Sequence, residues 1–245
     1  MDNQVHAYQK RSIMLMPMTK SPILDIARGQ VNRLRRHLFP IDSFLSKVPG
    51  VIHVGANMGQ ERDKYAALGL NVIWVEPIPA VFEVLVSNIS GIANQRACNY
   101  LLAEEQGKEY AFHISNNDGQ SSSILDLAKH REMWPDVHFG EEILIKATTL
   151  AHLVEIEQLD LRNFGALVLD TQGSEMLVLK GAIPVLKEFQ FVKSEVADFE
   201  SYAGCCQLDD LSDFMHKQGF FLSRKVPFFA VGGVGTYYDV LFRRK

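Results

Sequence analysis

The sequence contains few cysteines and no long hydrophobic run. Its 245 residues include three cysteines, at positions 98, 205 and 206, and an odd number with an adjacent pair fits neither a disulfide framework nor a Cys-x-x-Cys metal site. No apolar run reaches the roughly 18 residues that a membrane-spanning helix needs. The apolar stretch over 12–18 has no small-residue cleavage site after it, which argues against a signal peptide. We therefore expect a cytoplasmic protein with reduced thiols and no transmembrane segment.

The chain also lacks an overall excess of basic side chains. Its formal net charge is −4, whereas nucleic-acid-binding domains usually carry a basic surface, so we predict no nucleic-acid partner. Residues 1–50 differ, with eight Lys or Arg and three Asp or Glu, and residues 22–39 have the spacing of an amphipathic helix. This helix can contact a phosphorylated substrate, a membrane surface or a partner, but a solvated face beside the main domain is the favoured interpretation.

Alternating strand and helix patterns predict a mostly parallel α/β sheet. The predicted strands cover 51–54, 71–76, 97–103, 165–170 and 190–196, with helices over 60–68, 80–89, 175–189 and 208–219. A glycine-containing loop then joins two segments, 220–223 and 236–244, that can pair as an antiparallel hairpin. Seven strands with an antiparallel last strand are typical of a Rossmann-like class I methyltransferase fold.

Two further segments interrupt this pattern. Extra strands are predicted over 108–114 and 143–149, and the polar segment 115–142 between them has room for one short helix. A long, poorly periodic segment inside a compact fold is more often functional than not, so we predict that residues 115–145 form an acceptor-binding or lid region. The chain is thereby divided into a basic helical extension over 1–48 and one domain over 49–245, and no pattern in it defines an oligomeric state.

The loop after the first strand, "GANMG" (55–59), predicts a cofactor cradle. Gly55 and Gly59 allow a ligand to approach the backbone, and the following helix directs its free N–H groups to the same place. Glu76, about 20 residues on, ends the second strand, where a carboxylate can accept ribose hydroxyl groups. Neither G-x-G-x-x-G nor GK[ST] is present, so one ribose with an amino-acid moiety, as in S-adenosylmethionine, fits better than a dinucleotide.

Several segments resemble the FkbM family of S-adenosylmethionine-dependent methyltransferases. The most specific is "LVLDTQGSEMLVLKGA" (167–182), and "VGANMGQ" (54–60), "WVEPIP" (74–79) and "SEVADFESYAGCCQLDDLSDFMHKQGF" (194–220) also match. The resemblance covers roughly residues 50 to 223 and implies methyl transfer to a hydroxyl of a sugar, a glycan or another small metabolite. The cofactor-binding residues that it implies are His53, Gly55, Ala56, Asn57, Gly59, Glu76, Pro77, Leu102, Ala103 and Ser122.

One position departs from the family pattern. The family usually has an acid where this chain has His53. Two interpretations stay open: the imidazole contacts the amino-acid moiety of the cofactor with a ring nitrogen, or it is a core histidine whose hydrogen bonds the backbone satisfies.

Polar side chains that follow the fourth and fifth predicted strands are the candidate catalytic groups: Asp170, Gln172, Glu175 and Glu195. We predict that Asp170 is the base or the acceptor-orienting group; as alternatives, Glu175 complements a helix N-terminus and Asp170 caps it. No loop has a recognisable metal spacing, so we predict no metal. His130 and His138 are alternative bases, but such loop histidines are more often solvated. Trp134, Phe139, Phe228 and Phe229 are candidates for aromatic walls of the acceptor site or for packing residues.

Two other functions remain open. An NAD(P)-linked oxidoreductase would use a similar sheet, although the missing G-x-G-x-x-G speaks against it. The third hypothesis is a catalytically inactive protein that binds the cofactor or a partner, since a protein can keep a fold without keeping its activity.

Overall fold

The structure, a computed structural model, describes residues 41–245. The predicted helix over 22–39 and most of the predicted extension over 1–48 lie outside the described residues. The strands are β1 (Gly50–Val54), β2 (Asn71–Val75), β3 (Gln95–Cys98), β4 (Leu101–Leu102), β5 (Glu109–Ser115), β6 (Phe139–Thr148), β7 (Ala166–Leu169), β8 (Phe191–Ala197), β9 (Phe220–Val231) and β10 (Gly235–Arg244). The α-helices are α1 (Arg62–Ala67), α2 (Pro79–Ile89), α3 (His130–Met133), α4 (Leu150–Ile156), α5 (Glu175–Leu186) and α6 (Leu208–Lys217), and short 3-10 helices cover Ile41–Lys47 and Leu161–Asn163.

Seven strands form the central sheet in the order β3-β2-β1-β7-β8-β10-β9. The first five are parallel, and β10 runs antiparallel between β8 and β9. Strands β1 and β7 are buried along their whole length, which explains their unbroken apolar sequences because a parallel sheet is covered on both faces. This topology confirms the predicted Rossmann-like class I methyltransferase fold with its terminal antiparallel hairpin.

Helices cover both faces of the sheet. On one face, α4, α5 and α6 contribute Leu153, Val178 and Leu211 to the larger apolar core. On the other face, α1, α2 and the 3-10 helix over Ile41–Lys47 pack on the sheet through residues that include Tyr65, Leu85 and Phe44. The segment just before β1 is therefore joined to the sheet, and its Asp42 also accepts a charged hydrogen bond from Lys193 of β8 at 2.9 Å.

The predicted strand over 97–103 is wrong as a single element. After Cys98, the last residue of β3, the side chain of Asn99 donates to the Glu76 carbonyl at 2.8 Å and the chain leaves the central sheet. Leu101 and Leu102 then pair with β6 in a second sheet of order β4-β6-β5. A continuous apolar pattern did not reveal this break because residues 101 and 102 remain buried on the other side of it.

The segment 115–145 is fixed to the loop that follows β8. Backbone N–H groups of Ala128 and His130 both donate to the Ser201 carbonyl at 3.0 Å, and Leu127 forms an isolated bridge with Tyr202. The predicted short helix is present as α3, and the predicted strand over 143–149 is the end of the longer strand β6. The segment therefore forms a wall above the carboxyl ends of the parallel strands. Among residues 41–245, no helix has the length and apolar character to cross a bilayer.

Candidate active site

A cavity of about 400 Å³ opens at the carboxyl edge of the central sheet. Residues that follow β1, β2 and β7 form its floor together with Glu195 of β8, and the segment 115–145 contributes to its wall. This edge is where ligands bind in open α/β sheets, because the strand order reverses there and leaves a crevice. The volume lies within the usual range for a small-molecule site.

A tight turn after β1 places Gly55 at the cavity floor. The Gly55 and Ala56 N–H groups donate to the Val75 carbonyl at 3.0 and 3.1 Å, so the turn is tied to the end of β2. Gly55 has φ +77°, and a Cβ on it would lie 1.9 Å from the Asp170 carbonyl oxygen. Only glycine fits this position, where β1 and β7 end in contact. Asn57 follows with φ +44°, an uncommon conformation for a residue with a side chain.

Glu76 is buried at the tip of β2 and lines the cavity. Its carboxylate accepts hydrogen bonds from the Asn57 N–H at 2.8 Å and the Ile78 N–H at 2.9 Å. Its pKa is raised to about 7, because burial raises the pKa by more than the two backbone donors lower it. A carboxylate has about four acceptor positions, so Glu76 can organise the turn and still accept hydrogen bonds from a ligand.

The other predicted cofactor residues divide into two groups. Pro77, Leu102 and Ser122 line the cavity, together with Ala56 and Asn57. Gly59 and Ala103 lie outside its lining. Gly59 is packed against α2, where a Cβ would meet Leu85 at 2.8 Å, and the Ala103 carbonyl faces Gly181 of α5, where a Cβ would lie 2.1 Å from the oxygen. Gly59 and Gly181 thus serve helix packing, and Ala103 takes part through its backbone carbonyl.

Asp170 and Gln172 lie together on the loop after β7. The Gln172 Nε2 donates to Asp170 Oδ1 at 2.6 Å, and Gln172 Oε1 accepts from the Tyr202 hydroxyl at 2.8 Å. Gln172 has φ +52°, a strained conformation that is concentrated at functional sites. Burial raises the pKa of Asp170 to about 6. The loop therefore orients a carboxyl that changes its protonation state near physiological pH.

Glu175 supports this loop from outside the cavity lining. Its Oε1 accepts from the Thr171 and Gly173 N–H groups at 2.9 and 3.2 Å, and burial raises its pKa to about 7. Tyr202 closes the loop from the other side, because a Cβ on Gly173 would lie 2.9 Å from its side chain. The Glu175 carboxylate therefore binds backbone N–H groups just before α5. This agrees with the alternative role for Glu175, in which it complements a helix N-terminus.

Glu195 lies at the end of β8 and lines the cavity. Its pKa is raised well above the usual value, first by burial and then by the negative charges of Asp170 and Asp239. Lys193, two residues earlier, lies 3.7 Å from Asp239 and lowers the pKa of both Glu195 and Asp170. Asp170 and Glu195 thus place two carboxyl groups in the cavity lining, and the charges of Asp239 and Lys193 act on them from outside it.

His53 lines the cavity and packs within the sheet at the same time. Its ring stacks on Trp74 with centroids 5.0 Å apart, and its Nδ1 lies 3.2 Å from the Tyr65 hydroxyl. Burial lowers its pKa to about 4, so the imidazole is neutral at physiological pH. A side chain, not the backbone, is the partner of Nδ1, and the predicted cofactor contact of His53 stays a prediction.

His130 differs most from the sequence-based expectation. It is 3 % exposed instead of solvated, it lines the cavity, and its Nδ1 lies 2.9 Å from the Tyr237 hydroxyl. Trp134 and Phe228 line the cavity beside it, and these three residues form what we call the aromatic end.

The other candidate residues of this region do not line the cavity. His138 is exposed. The other two candidate aromatic residues lie outside the lining: Phe229 stacks behind Trp134, and Phe139 stacks on His113.

Within residues 41–245, no three His, Cys, Asp or Glu side chains are grouped so that they could hold a metal ion. Thr171 and Tyr100 line the cavity although the sequence analysis did not select them. Thr171 is part of the D-T-Q-G segment and is therefore recognisable from its neighbours, whereas Tyr100 depends on the unpredicted break between β3 and β4.

Comparison with known proteins identifies one family. The profile of the family described as methyltransferase FkbM domain matches residues 53–222. No curated protein sequence gives a significant match.

The similar solved structures have low sequence identity. The magnesium protoporphyrin IX methyltransferase of Synechocystis PCC 6803 with bound SAM is 11% identical with a TM-score of 0.48, over 91% of this chain and 82% of that one. Aeropyrum pernix fibrillarin with bound S-adenosyl-L-methionine is 8% identical with a TM-score of 0.48, over 88% and 74%. A putative RNA methyltransferase of Pyrococcus horikoshii is 13% identical with a TM-score of 0.40, over 89% and 84%.

Proposed function

The chain belongs to the FkbM methyltransferase family, and from this premise we propose that it transfers the methyl group of S-adenosylmethionine to a hydroxyl oxygen of a sugar, a glycan or another small hydroxylated metabolite. One observation carries the proposal. A single cavity brings together the Gly55 turn, the Glu76 carboxylate and the oriented Asp170 carboxyl, at the ends of three adjacent parallel strands.

The residues present fit S-adenosylmethionine. Glu76 has acceptor positions left for the two ribose hydroxyls, and the apolar side chains of Ile78 and Leu102 line the cavity near it, as an adenine ring requires. The Thr171 Oγ1 is buried and has no hydrogen-bond partner in the described part of the chain. Because buried polar atoms are usually paired, we expect a polar ligand group there. The Gly55 turn and Asn57 would hold the amino-acid moiety.

The chemistry assigned to the chain itself is orientation and proton acceptance. When bound, the cofactor would supply a methyl group whose bond to the sulfonium sulfur breaks as the acceptor oxygen takes it, with S-adenosylhomocysteine as the leaving group. Asp170 would accept the proton of the acceptor hydroxyl. Gln172 fixes the carboxyl through its 2.6 Å hydrogen bond, and Tyr202 in turn fixes Gln172. The ionised form of Glu195 would add negative charge at the same floor, which favours a cationic cofactor.

The remaining parts of the proposal concern the setting of the enzyme. The free thiols of Cys98, Cys205 and Cys206 support the expected cytoplasmic location, and the acceptor is a small molecule or a glycan rather than a nucleic acid. Contact of residues 22–39 with a membrane surface stays a prediction.

The inactive-protein hypothesis makes a different prediction: S-adenosylmethionine binds, but no acceptor gains a methyl group in a mass-spectrometric screen.

We expect the preference for S-adenosylmethionine over S-adenosylhomocysteine to increase by roughly tenfold as the pH rises from about 5.5 to about 8. Both compounds share every group except the charged sulfonium. Burial raises the pKa of Asp170 to about 6, so this carboxyl gains negative charge as the pH rises through this range. Calorimetric dissociation constants for both compounds at several pH values measure the ratio.

The Asp170→Asn variant provides the control for this titration. It removes the carboxyl that ionises in this range, so the ratio should depend less on pH than in the unaltered protein. A ratio that stays constant in the unaltered protein would mean that the Asp170 carboxyl does not face the sulfonium.

A further inference from the structure

The aromatic end lies on the far side of the cavity from Glu76. The cavity floor crosses from β2 through β1 and β7 to β8, which is three strand spacings or roughly 14 Å. Glu76, the Gly55 turn and Thr171 follow β2, β1 and β7, whereas His130 contacts Tyr237 of β10, beyond β8. Beyond the cofactor, the aromatic end is therefore the part of the cavity left for the acceptor.

His130 has one ring nitrogen engaged and one without a partner. Its Nδ1 is paired with the Tyr237 hydroxyl at 2.9 Å, while its Nε2 is buried and has no hydrogen-bond partner within residues 41–245. The ring cannot turn freely to relieve this, because it packs between Trp134 at 4.6 Å and Tyr202 at 5.0 Å between centroids. An unpaired buried nitrogen in a cavity lining indicates a polar group of a ligand.

The chemistry of Nε2 favours a hydroxyl as that group. Burial lowers the pKa of His130 to about 4, so the ring is neutral and Nε2 is either a donor or an acceptor, depending on which nitrogen carries the proton. A hydroxyl can accept from the first form and donate to the second. A carboxylate or an ammonium group would satisfy only one of them.

Trp134 supplies a rigid apolar wall beside His130. Its ring is stacked on Phe229 with centroids 4.6 Å apart and an interplanar angle of 22°, and it contacts Tyr237 at 5.2 Å. A wall of this kind packs against the apolar face of a ring. The neighbouring lining includes Glu195, whose carboxyl group needs hydrogen-bond partners from a ligand when water is displaced. A pyranose offers both an apolar face and several hydroxyls, whereas a phenol offers one.

We propose that the aromatic end binds a pyranose ring of the acceptor, packed against Trp134 and hydrogen-bonded through one hydroxyl to His130 Nε2. The inference rests on the proposed function, since another hydroxyl of the same ring must face Asp170. His130 is then a substrate-binding residue that selects the acceptor, and Tyr237 is a positioning residue that fixes its ring.

Saturation-transfer-difference NMR tests this proposal on the full chain loaded with S-adenosylhomocysteine. The probes are the methyl α-pyranosides of glucose, galactose and mannose, with catechol as a flat aromatic alternative, each at millimolar concentration. We expect at least one pyranoside to receive saturation, strongest at the ring protons of one face. Saturation of catechol alone, or of no probe, would overturn the pyranose assignment.

Variants separate the binding role of His130 from a structural one. His130→Asn keeps an amide near the Nδ1 position for Tyr237 but lacks the Nε2 function, so the pyranoside affinity should fall by about tenfold, whereas His130→Gln reaches the Nε2 position and should restore most of it. Trp134→Ala should weaken binding by about tenfold as well. Phe139→Ala, which removes an aromatic ring outside the cavity, is the matched control and should bind the pyranoside normally.

The cofactor affinity distinguishes the two ways in which this experiment can fail. The dissociation constant of S-adenosylhomocysteine should be the same in the His130 variants as in the unaltered protein. If both ligand types bind but the two His130 variants behave alike, the specific role of Nε2 is wrong. If S-adenosylhomocysteine fails to bind the unaltered protein, the proposed function is itself wrong.

Discussion

Replacing Asp170 by asparagine should lower kcat by about 10²- to 10⁴-fold, the usual contribution of a positioned general base. Asparagine keeps the size of the side chain and a partner for Gln172, but it cannot take the proton of the acceptor hydroxyl. Asp170 lies at the end of β7 in the cavity floor, where Gln172 orients it at 2.6 Å. The measurement is the initial rate of S-adenosylhomocysteine formation with the best-binding pyranoside as acceptor.

The pH dependence of the rate gives this substitution a second readout. Because burial raises the pKa of Asp170 to about 6, kcat/KM of the unaltered enzyme should rise with pH through about 6, and this rise should disappear in Asp170→Asn. Asp126→Asn is a matched control, since Asp126 is an exposed side chain of the segment 115–145 near His113. A rate for Asp170→Asn within about tenfold of the unaltered enzyme would exclude Asp170 as the base.

Replacing Gly55 by alanine should weaken the binding of S-adenosylhomocysteine by more than about 100-fold. The residue has φ +77°, and the new Cβ would lie 1.9 Å from the Asp170 carbonyl oxygen. Either the β1 and β7 ends separate or the Gly55 turn rotates, and both changes displace groups that should hold the cofactor. A loss of this size corresponds to about 2.7 kcal/mol of binding free energy.

Gly107→Ala separates the steric effect from backbone strain. Gly107 has φ +78°, almost the same as Gly55, but a Cβ on it would meet no atom of the surrounding chain within 4 Å. Both variants should lose roughly 1 kcal/mol of unfolding free energy from the left-handed backbone. Gly55→Ala should lose more because of the clash with the Asp170 carbonyl, and only Gly55→Ala should also lose ligand binding. Chemical denaturation and calorimetry measure the two quantities, and equal affinities in the two variants would contradict the assigned role of the Gly55 turn.

The parts of the fold that follow local rules were predictable from the sequence. Strand β1, the Gly55 turn and Glu76 form one short unit whose apolar runs, glycine and terminal acid each have a local physical reason. The terminal hairpin was likewise visible as two strand patterns around a glycine-containing loop. These elements define the strand order and hence the edge of the sheet at which the cavity lies.

Other features depend on contacts between distant residues. The break after β3 arises because the Asn99 side chain bonds to the Glu76 carbonyl, 23 residues away in the chain. The burial of His130 depends on Tyr237, 107 residues away, and nothing in the local sequence distinguishes it from a solvated loop histidine. Glu175 illustrates the reverse case, since a conspicuous acid in the matched segment bonds to its own loop instead of lining the cavity.

The most direct measurement is a calorimetric titration of the full-length protein with S-adenosylhomocysteine, repeated with NADH. The cavity bounded by the Gly55 turn and Glu76 predicts saturable binding of S-adenosylhomocysteine at one site per chain and no binding of NADH. Binding of NADH without binding of S-adenosylhomocysteine or S-adenosylmethionine would contradict the assignment of the cavity to the methyl donor.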